Sequence, residues 1–394
     1  MPTTRQSARR ACRPLLVLLV ALLAIAGAAA ATAEDAPGVA PRSIRFGQSA
    51  ALAGPASALG TGMRLGILAA FGEVNAAGGV HGRQLELLTY DDRYEPESAI
   101  ANTRRLIDED SVFALIGYVG TPTSIVAAPI ANEAGVPYIA PFTGAAFLRD
   151  PEFSYVVNIR ASYDQEAERI VDWLTGERGV ERIAILYQDD SFGRAGFAGV
   201  SAALKKRGMS LNGEGVYPRN TIAVKRALLA IRERDPQAII VVGTYEPSAV
   251  FEKWAKKLGM DPIFVNVSFV GTDALARALG SEGIGTYVSQ VVPHPRYGDQ
   301  TVLLRYRKAL RALNPGAEPG FVSLEGYLAG RLAASVLDAA GPEPTRQGFI
   351  ETLHALGRFD LGGFELNFRD GGNQGSDAVF LTMIGDRKQI VPVE

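Results

Sequence analysis

Residues 112–134 read VFALIGYVGTPTSIVAAPIANEA, from Val112 to Ala134. The first part, Val112 to Val119, is a short, continuously apolar run, the pattern of a strand covered on both faces in the middle of a parallel sheet. The second part, Pro122 to Ala134, reads as a helix, with Thr121 as a good N-cap and Pro122 suited to its first position. Strand, glycine-bearing turn and helix in that order make one half of a βα unit.

The same alternation extends in both directions. Upstream, Ser43 to Ala50 alternates like a strand, and Gly60 to Ala77 is a helix stopped by Gly78-Gly79. Gln84 to Asp92 follows as a strand and Pro96 to Asp108 as a helix. Downstream, Val136 to Phe142 is a strand. A second series starts near Arg160, with strands at Arg182–Gln188, Leu211–Tyr217, Ala238–Gly243, Ile263–Phe269 and Thr286–Val292. Helices at Asp164–Glu177, Phe192–Arg207, Ile222–Arg234 and Pro247–Leu258 alternate with the earlier of these strands. Three more follow at Gln300–Leu313, Phe321–Ala340 and Thr345–Leu356, and Val379–Ile384 with Gln389–Val393 reads as a closing β-hairpin around Gly385–Lys388. Alternating βα units imply parallel sheets with helices on both faces. Two series imply an α/β fold of two similar doubly wound lobes.

The first residues have a different character. Arg5, Arg9, Arg10 and Arg13 precede an apolar run from Leu15 to about Ala31, and Ala31-Thr32-Ala33 closes it with small residues. That order is a cleavable secretory signal over residues 1–33, and it places the mature chain in the periplasm. Of 394 residues, removal of 33 leaves 361, more than one core comfortably holds, and net charge moves from −2 to −6 as four arginines leave. No basic stripe remains to hold nucleic acid. The single cysteine, Cys12, precedes the apolar run, so the mature chain has no disulfide, thiol nucleophile or cysteine-bound metal. His81, His294 and His354 lie far apart in unlike contexts and read as surface or loop residues, so no metal or cofactor is expected.

In open α/β sheets, ligands bind beyond the carboxyl ends of strands. Four strand-to-helix loops therefore hold the candidate residues. In Gly117–Ser124, the N–H groups of Thr123 and Ser124 and the hydroxyls of Thr121 and Thr123 could cradle an anion at the helix tip. Thr121 capping its own helix is the plainer reading. In Pro141–Ala146, Thr143 offers a hydroxyl and Gly144 an N–H, while Phe142 could wall a site or sit in the core. In Gln188–Gly193, Asp189-Asp190 lacks a neighbouring His or third carboxylate, so Asp190 or Ser191 capping the next helix is the expected role. In Gly243–Pro247, Tyr245 is placed to present its ring and hydroxyl to a cleft. Gly60-Thr61-Gly62-Met63-Arg64-Leu65-Gly66 departs from the spacing of a dinucleotide loop and reads as close helix packing. No phosphate-binding loop, nucleophile elbow or zinc-protease helix motif occurs, and with no activated nucleophile or general-base histidine the chain does not read as an enzyme.

With these loops in place the sequence resembles the branched-chain amino-acid (Leu/Ile/Val-binding) type of periplasmic solute-binding protein over about Ile44 to Val393. The carriers are Gly54-Pro55, Asn75–Arg83 leading into Leu87–Asp92, Gly117–Thr123, Gly135-Val136-Pro137 with Pro141–Gly144, and Leu324-Glu325-Gly326-Tyr327. The resemblance implies two discontinuous lobes, 42–160 with 293–363 and 161–292 with 364–394, joined by hinge crossings near Arg160, Val292 and Phe364. It implies that a ligand carboxylate is held by Gly120-Thr121 and by Phe142-Thr143-Gly144, and that Phe192 and Tyr245 close over it. It also implies delivery to the permease of an ATP-driven (ABC) importer by a monomeric receptor. Two departures stand out. The acidic residue that usually pairs a ligand ammonium is matched by Ser268, and Phe192 replaces a frequent tyrosine. Either another acid such as Glu246 reaches in, or the ligand lacks an α-ammonium, which admits aromatic or aliphatic carboxylates, amides and urea-like solutes. A periplasmic sensor remains a rival to the transport role, and an oxidoreductase using the Gly60 loop a weaker one.

Overall fold

Alternation of side chains along the strands decides how the layers stack. The structure, a computed structural model, describes Met1 and residues 36–369, 371–386 and 389–393. Apart from Met1 the expected signal segment lies outside the described residues, as do Arg387 and Lys388 in the turn of the closing hairpin. Strands β1 (Ser43–Ala50), β2 (Gln84–Asp91), β3 (Ala114–Ile116), β4 (Tyr138–Ile139) and β5 (Val156–Val157) form one sheet in the order β2-β1-β3-β4-β5, every pairing parallel. The next five strands, β6 (Ile183–Gln188), β7 (Gly213–Tyr217), β8 (Ala238–Val242), β9 (Ile263–Asn266) and β10 (Tyr287–Gln290), are parallel to one another in a second sheet. A small hairpin, β11 (Arg358–Asp360) with β12 (Glu365–Asn367), stands apart. Strands β13 (Phe380–Ile384) and β14 (Ile390–Pro392) then extend the second sheet antiparallel, giving β14-β13-β10-β9-β8-β6-β7.

The helices are α1 (Ser57–Ala76), α2 (Pro96–Arg104), α3 (Thr121–Glu133), α4 (Tyr163–Asp172), α5 (Ser191–Lys206), α6 (Lys225–Arg232), α7 (Tyr245–Lys257), α8 (Thr272–Leu279), α9 (Thr301–Leu313), α10 (Phe321–Ala340) and α11 (Arg346–Leu356). Both faces of each sheet are covered. In the first sheet Phe46, Ala114 and Ile116 pack with α1, α9, α10 and α11, while Leu115 and Tyr138 pack with α3. In the second, Ile183, Ile185 and Ile240 face α4 and α5, while Ala184, Leu186 and Ile239 face α6 and α7. Each central strand is therefore apolar on both sides, as its sequence demands. Gly62 and Gly66 of α1 serve close helix packing, as expected: a Cβ on Gly66 would fall 1.9 Å from the Ser323 carbonyl oxygen of α10.

The chain passes between the sheets three times, after β5, after β10 and after β12. Leu366 and Phe368 still pack with the first sheet's helices, so the last passage falls beyond Phe364. Two strands are shorter than the apolar runs that code for them. Gly117 at φ 66° and Ala140 at φ 50° turn the chain into the left-handed region and end the ladders of β3 and β4. The antiparallel register of β13 and β14 is that of the expected hairpin.

Candidate functional site

The carboxyl ends of the two sheets meet face to face. Helix α3 starts at Thr121 with Gly120 as its N-cap, one residue earlier than the sequence reading. The reason is the Thr121 hydroxyl, which lies 2.6 Å from that of Thr143 instead of capping its own helix. Thr143 in turn donates to the hydroxyl of Tyr163, 3.3 Å away, at the start of α4 in the other lobe. Thr123 departs from expectation, because its hydroxyl donates to the carbonyls of Val119 and Gly120 and not into the gap. The Ser124 N–H is likewise spent on Gly120, 3.0 Å away. Among the described residues no acceptor meets the N–H groups of Thr121, Thr123 and Gly144. Two glycines make this approach feasible. Gly120 has φ 103° and a Cβ there would fall 2.1 Å from the Tyr94 ring, while a Cβ on Gly144 would fall 2.7 Å from the Tyr163 nitrogen.

Around these donors stands a buried aromatic wall. The Phe269 ring, just after β9, lies 4.5 Å from Phe192, 5.3 Å from Phe142 and 6.1 Å from Tyr94, centroid to centroid. Tyr163 and Phe192 are 5.4 Å apart. Phe142 and Tyr94 come from first-sheet loops and Phe192 and Phe269 from second-sheet loops, so one apolar cluster spans both lobes. Tyr94 is held at φ 63°, beside Arg93 at φ 52°, a conformation that aromatic residues avoid. The Asp92 and Asp91 side chains hold this turn by accepting from the N–H groups of Tyr94 and Arg93, 2.8 and 2.9 Å away. Thr121, Thr143, Tyr163 and the four other rings are all buried.

Behind the wall sits a buried ionic knot. Arg160, in the first crossing, reaches Glu166 of α4 at 3.1 Å and Glu325 of α10 at 3.2 Å, with its guanidinium 5.1 Å from the Phe142 ring. Burial opposes the charge on Arg160, but Glu325 and Glu166 outweigh it and raise its pKa. For Glu325 burial wins over the pull of Arg160, and its carboxyl is pushed up to about 7. Ser268 belongs to this knot: its hydroxyl binds Arg160 and donates to Glu166, 2.9 Å away. It is therefore not presented to the Thr121–Thr143 pair. Tyr245 lies against the start of α1, with the Ala58 N–H donating to its hydroxyl over 3.4 Å, and Glu246 is exposed and does not reach in. Asp190 caps α5 by accepting from the N–H groups of Phe192 and Gly193, as expected.

At the rim, Glu95 of the first lobe accepts from Arg219 at 2.6 Å and from Asn220 at 2.7 Å, both in the second. A separate crevice of about 340 Å³ lies between α1, α8 and the start of α10, where Arg296 is paired with Asp273 at 2.9 Å. Among the described residues there is no metal-ligand cluster and no helix long and apolar enough to cross a membrane.

Sequence reasoning missed Tyr94, Tyr163, Phe269 and the Arg160 knot. Tyr94 and Phe269 lie just beyond strands β2 and β9, and the strand-end rule would have found them. Tyr163 and Arg160 belong to a crossing segment, which has no periodic signature.

Two doubly wound parallel sheets, three crossings and a donor-lined junction between facing strand ends define a two-lobed binding protein of the type I periplasmic class. The chain belongs to the periplasmic binding protein family, whose profile matches residues 43–389. A solved structure described as a possible leucine/isoleucine/valine-binding protein from Rhodopirellula baltica SH 1 is similar, at 39% identity over 93% of this chain and 98% of that one, with a TM-score of 0.85. An amino acid binding protein of Pseudomonas aeruginosa is 25% identical over 68% of this chain and 71% of its own length. Leu/Ile/Val-binding protein homolog 7 of Brucella abortus is 27% identical over 57% of this chain, and the match spans 59% of that relative. A fatty acid ABC transporter substrate-binding protein from Thermomonospora curvata has the same fold, with a TM-score of 0.84 at 19% identity.

Proposed function

We propose that the chain is the exported, periplasmic solute-binding component of an ABC importer, a monomer that closes on a small carboxylate-bearing solute and presents it to a membrane permease. It binds without chemistry of its own. The observation that carries this reading is the meeting of two loop tips, Thr121 and Thr143, 2.6 Å apart and covered by Tyr163 of the other lobe, with the N–H groups of Thr121, Thr123 and Gly144 left unspent. Backbone donors at a helix start, in a dry setting, suit an anion. The ligand carboxylate sits on Gly120-Thr121 and Thr143-Gly144, with Phe142, Phe192 and Tyr245 as its enclosure. The moving bodies are 42–160 with the stretch from 293 through Phe368, and 161–292 with β13 and β14, hinging where the chain crosses. Closure follows from the ligand's preference for the closed form, since a ligand shifts an equilibrium only by its differential affinity.

The test is calorimetric titration of a solute found by thermal-shift screening of carboxylates and amides. Tyr163→Phe removes the one hydroxyl proton that the Thr121–Thr143–Tyr163 relay leaves free for the ligand, a charge-assisted hydrogen bond of about 1.5–3 kcal/mol, and weakens binding roughly tenfold or more. An unchanged Kd removes the Tyr163 hydroxyl from the site.

A further inference from the structure

We infer that the solute is a monocarboxylate with an apolar, uncharged body, and that amino acids are excluded for want of a partner for their ammonium. This rests on the carboxylate reading above and narrows it. The two binding loops are turned one way. Their carbonyls are used inside the protein: Val119 by the Thr123 hydroxyl, Gly120 by Ser124, Pro141 by the Thr143 N–H, Phe142 by the Gly120 N–H, and Gly144 by the Tyr163 N–H. What the backbone of these loops offers a ligand is donors only. The hydroxyl relay points the same way. Thr121 and Thr143 share one hydrogen bond and Thr143 donates to Tyr163, which leaves the Tyr163 proton to give.

The acids around the junction are equally committed. Glu166 accepts from Arg160 at 3.1 Å, from the Ser268 hydroxyl and N–H at 2.9 Å each, and from Ser289. Asp190 accepts from Phe192, Gly193 and Gln188, the last at 2.6 Å, and faces Arg219 at 3.7 Å. Asp92 accepts from Ser49 and the Tyr94 N–H at 2.8 Å each. Glu325 accepts from Arg160 at 3.2 Å, so among the described residues each buried carboxylate around the aromatic wall is engaged. A zwitterion entering here would keep its carboxylate satisfied and leave its ammonium dry and unpaired, a cost that no contact offsets. The rings of Tyr94, Phe142, Phe192 and Phe269 instead favour an apolar body.

The experiment uses matched pairs that differ only in the amino group: 4-methylpentanoate against L-leucine, and 3-phenylpropanoate against L-phenylalanine. Each is titrated calorimetrically into the mature protein, with the neutral 4-methylpentanamide as a third arm. The acid without the amino group should bind at least tenfold more tightly than its amino-acid partner in one or both pairs. An amino acid that binds as tightly as its deaminated partner, or more tightly, overturns the inference while leaving the carboxylate reading intact. Binding of the amide in place of both acids overturns the carboxylate reading itself. Binding by neither acid with no amide binding overturns the inference.

Discussion

Replacing Arg160 by methionine leaves two buried carboxylates without their shared cation, and the structure says how the loss divides. Glu166 keeps three donors, the Ser268 N–H, the Ser268 hydroxyl and the Ser289 hydroxyl, so its carboxyl is still hydrogen-bonded. Glu325 loses the hydrogen-bond partner that it has in Arg160 and is nearly fully buried. Removing one member of a buried ion pair costs about 3–5 kcal/mol when the remaining charge has no escape. Glu325 has one, because its carboxyl already titrates at about 7 beside Arg160 and rises further without it. At pH 6 it is protonated in Arg160→Met and the destabilisation is about 2 kcal/mol, below the full range for a stranded charge. Above pH 7 the native protein has released this proton while the folded variant still holds it and the unfolded chain does not. The difference in stability then grows by about 1.4 kcal/mol per pH unit, reaching roughly 4 kcal/mol between pH 8 and 9. Urea unfolding followed by circular dichroism at pH 6, 7, 8 and 9 measures it, and adding Glu325→Gln to the variant should abolish the slope. A destabilisation that does not change with pH, or one below about 1 kcal/mol at pH 8, refutes this account of the knot.

Other consequences are more compact. Glu252 is buried against Asn266 and Thr286, and burial pushes its carboxyl up to about 7. An acid raised on folding stabilises fully below its unfolded value and loses that contribution as pH rises through its folded value. Glu252→Gln should therefore flatten the fall in melting temperature between about pH 5 and pH 8, as differential scanning fluorimetry will show. The Glu95–Arg219 rim pair is partly exposed, so Glu95→Gln should weaken ligand binding only about two- to fivefold. That effect should shrink when the titration is repeated at high salt. Gly66→Ala forces a methyl into the α10 backbone and should cost about 1–3 kcal/mol, read as a lower urea midpoint.

Much of the architecture was legible because it rests on periodicity. The apolar run at Val112 and its counterparts at Ile183 and Ala238 could only be strands covered on both sides, and the helices between them could only be crossovers. What escaped was too short or too local to carry a period. Strand β5 is two residues long, helix α8 follows a 3-10 turn at Ser268–Val270, and the hairpin at Arg358–Asn367 has three-residue strands. In the site, the family resemblance added Phe192, and the strand-end rule singled out Thr121, Thr143 and Tyr245 because it depends only on chain order. The direction of a side chain does not. Thr123 turns to its own carbonyls and Ser268 turns to Arg160. Sequence spacing cannot foresee either, because the competing partner lies one turn back in the first case and 108 residues away in the second. The departure at Ser268 was legible in the sequence, but the engagement of the neighbouring buried acids emerges only in three dimensions.

A crystal structure of the mature protein with a bound monocarboxylate tests the central claim most directly. It should show the carboxylate oxygens about 2.7–3.2 Å from the N–H groups of Thr121 and Gly144, under the Tyr163 hydroxyl and between the two sheets. A ligand seated elsewhere, for example in the crevice beside Arg296, or one whose carboxylate points away from the tip of α3, would contradict it.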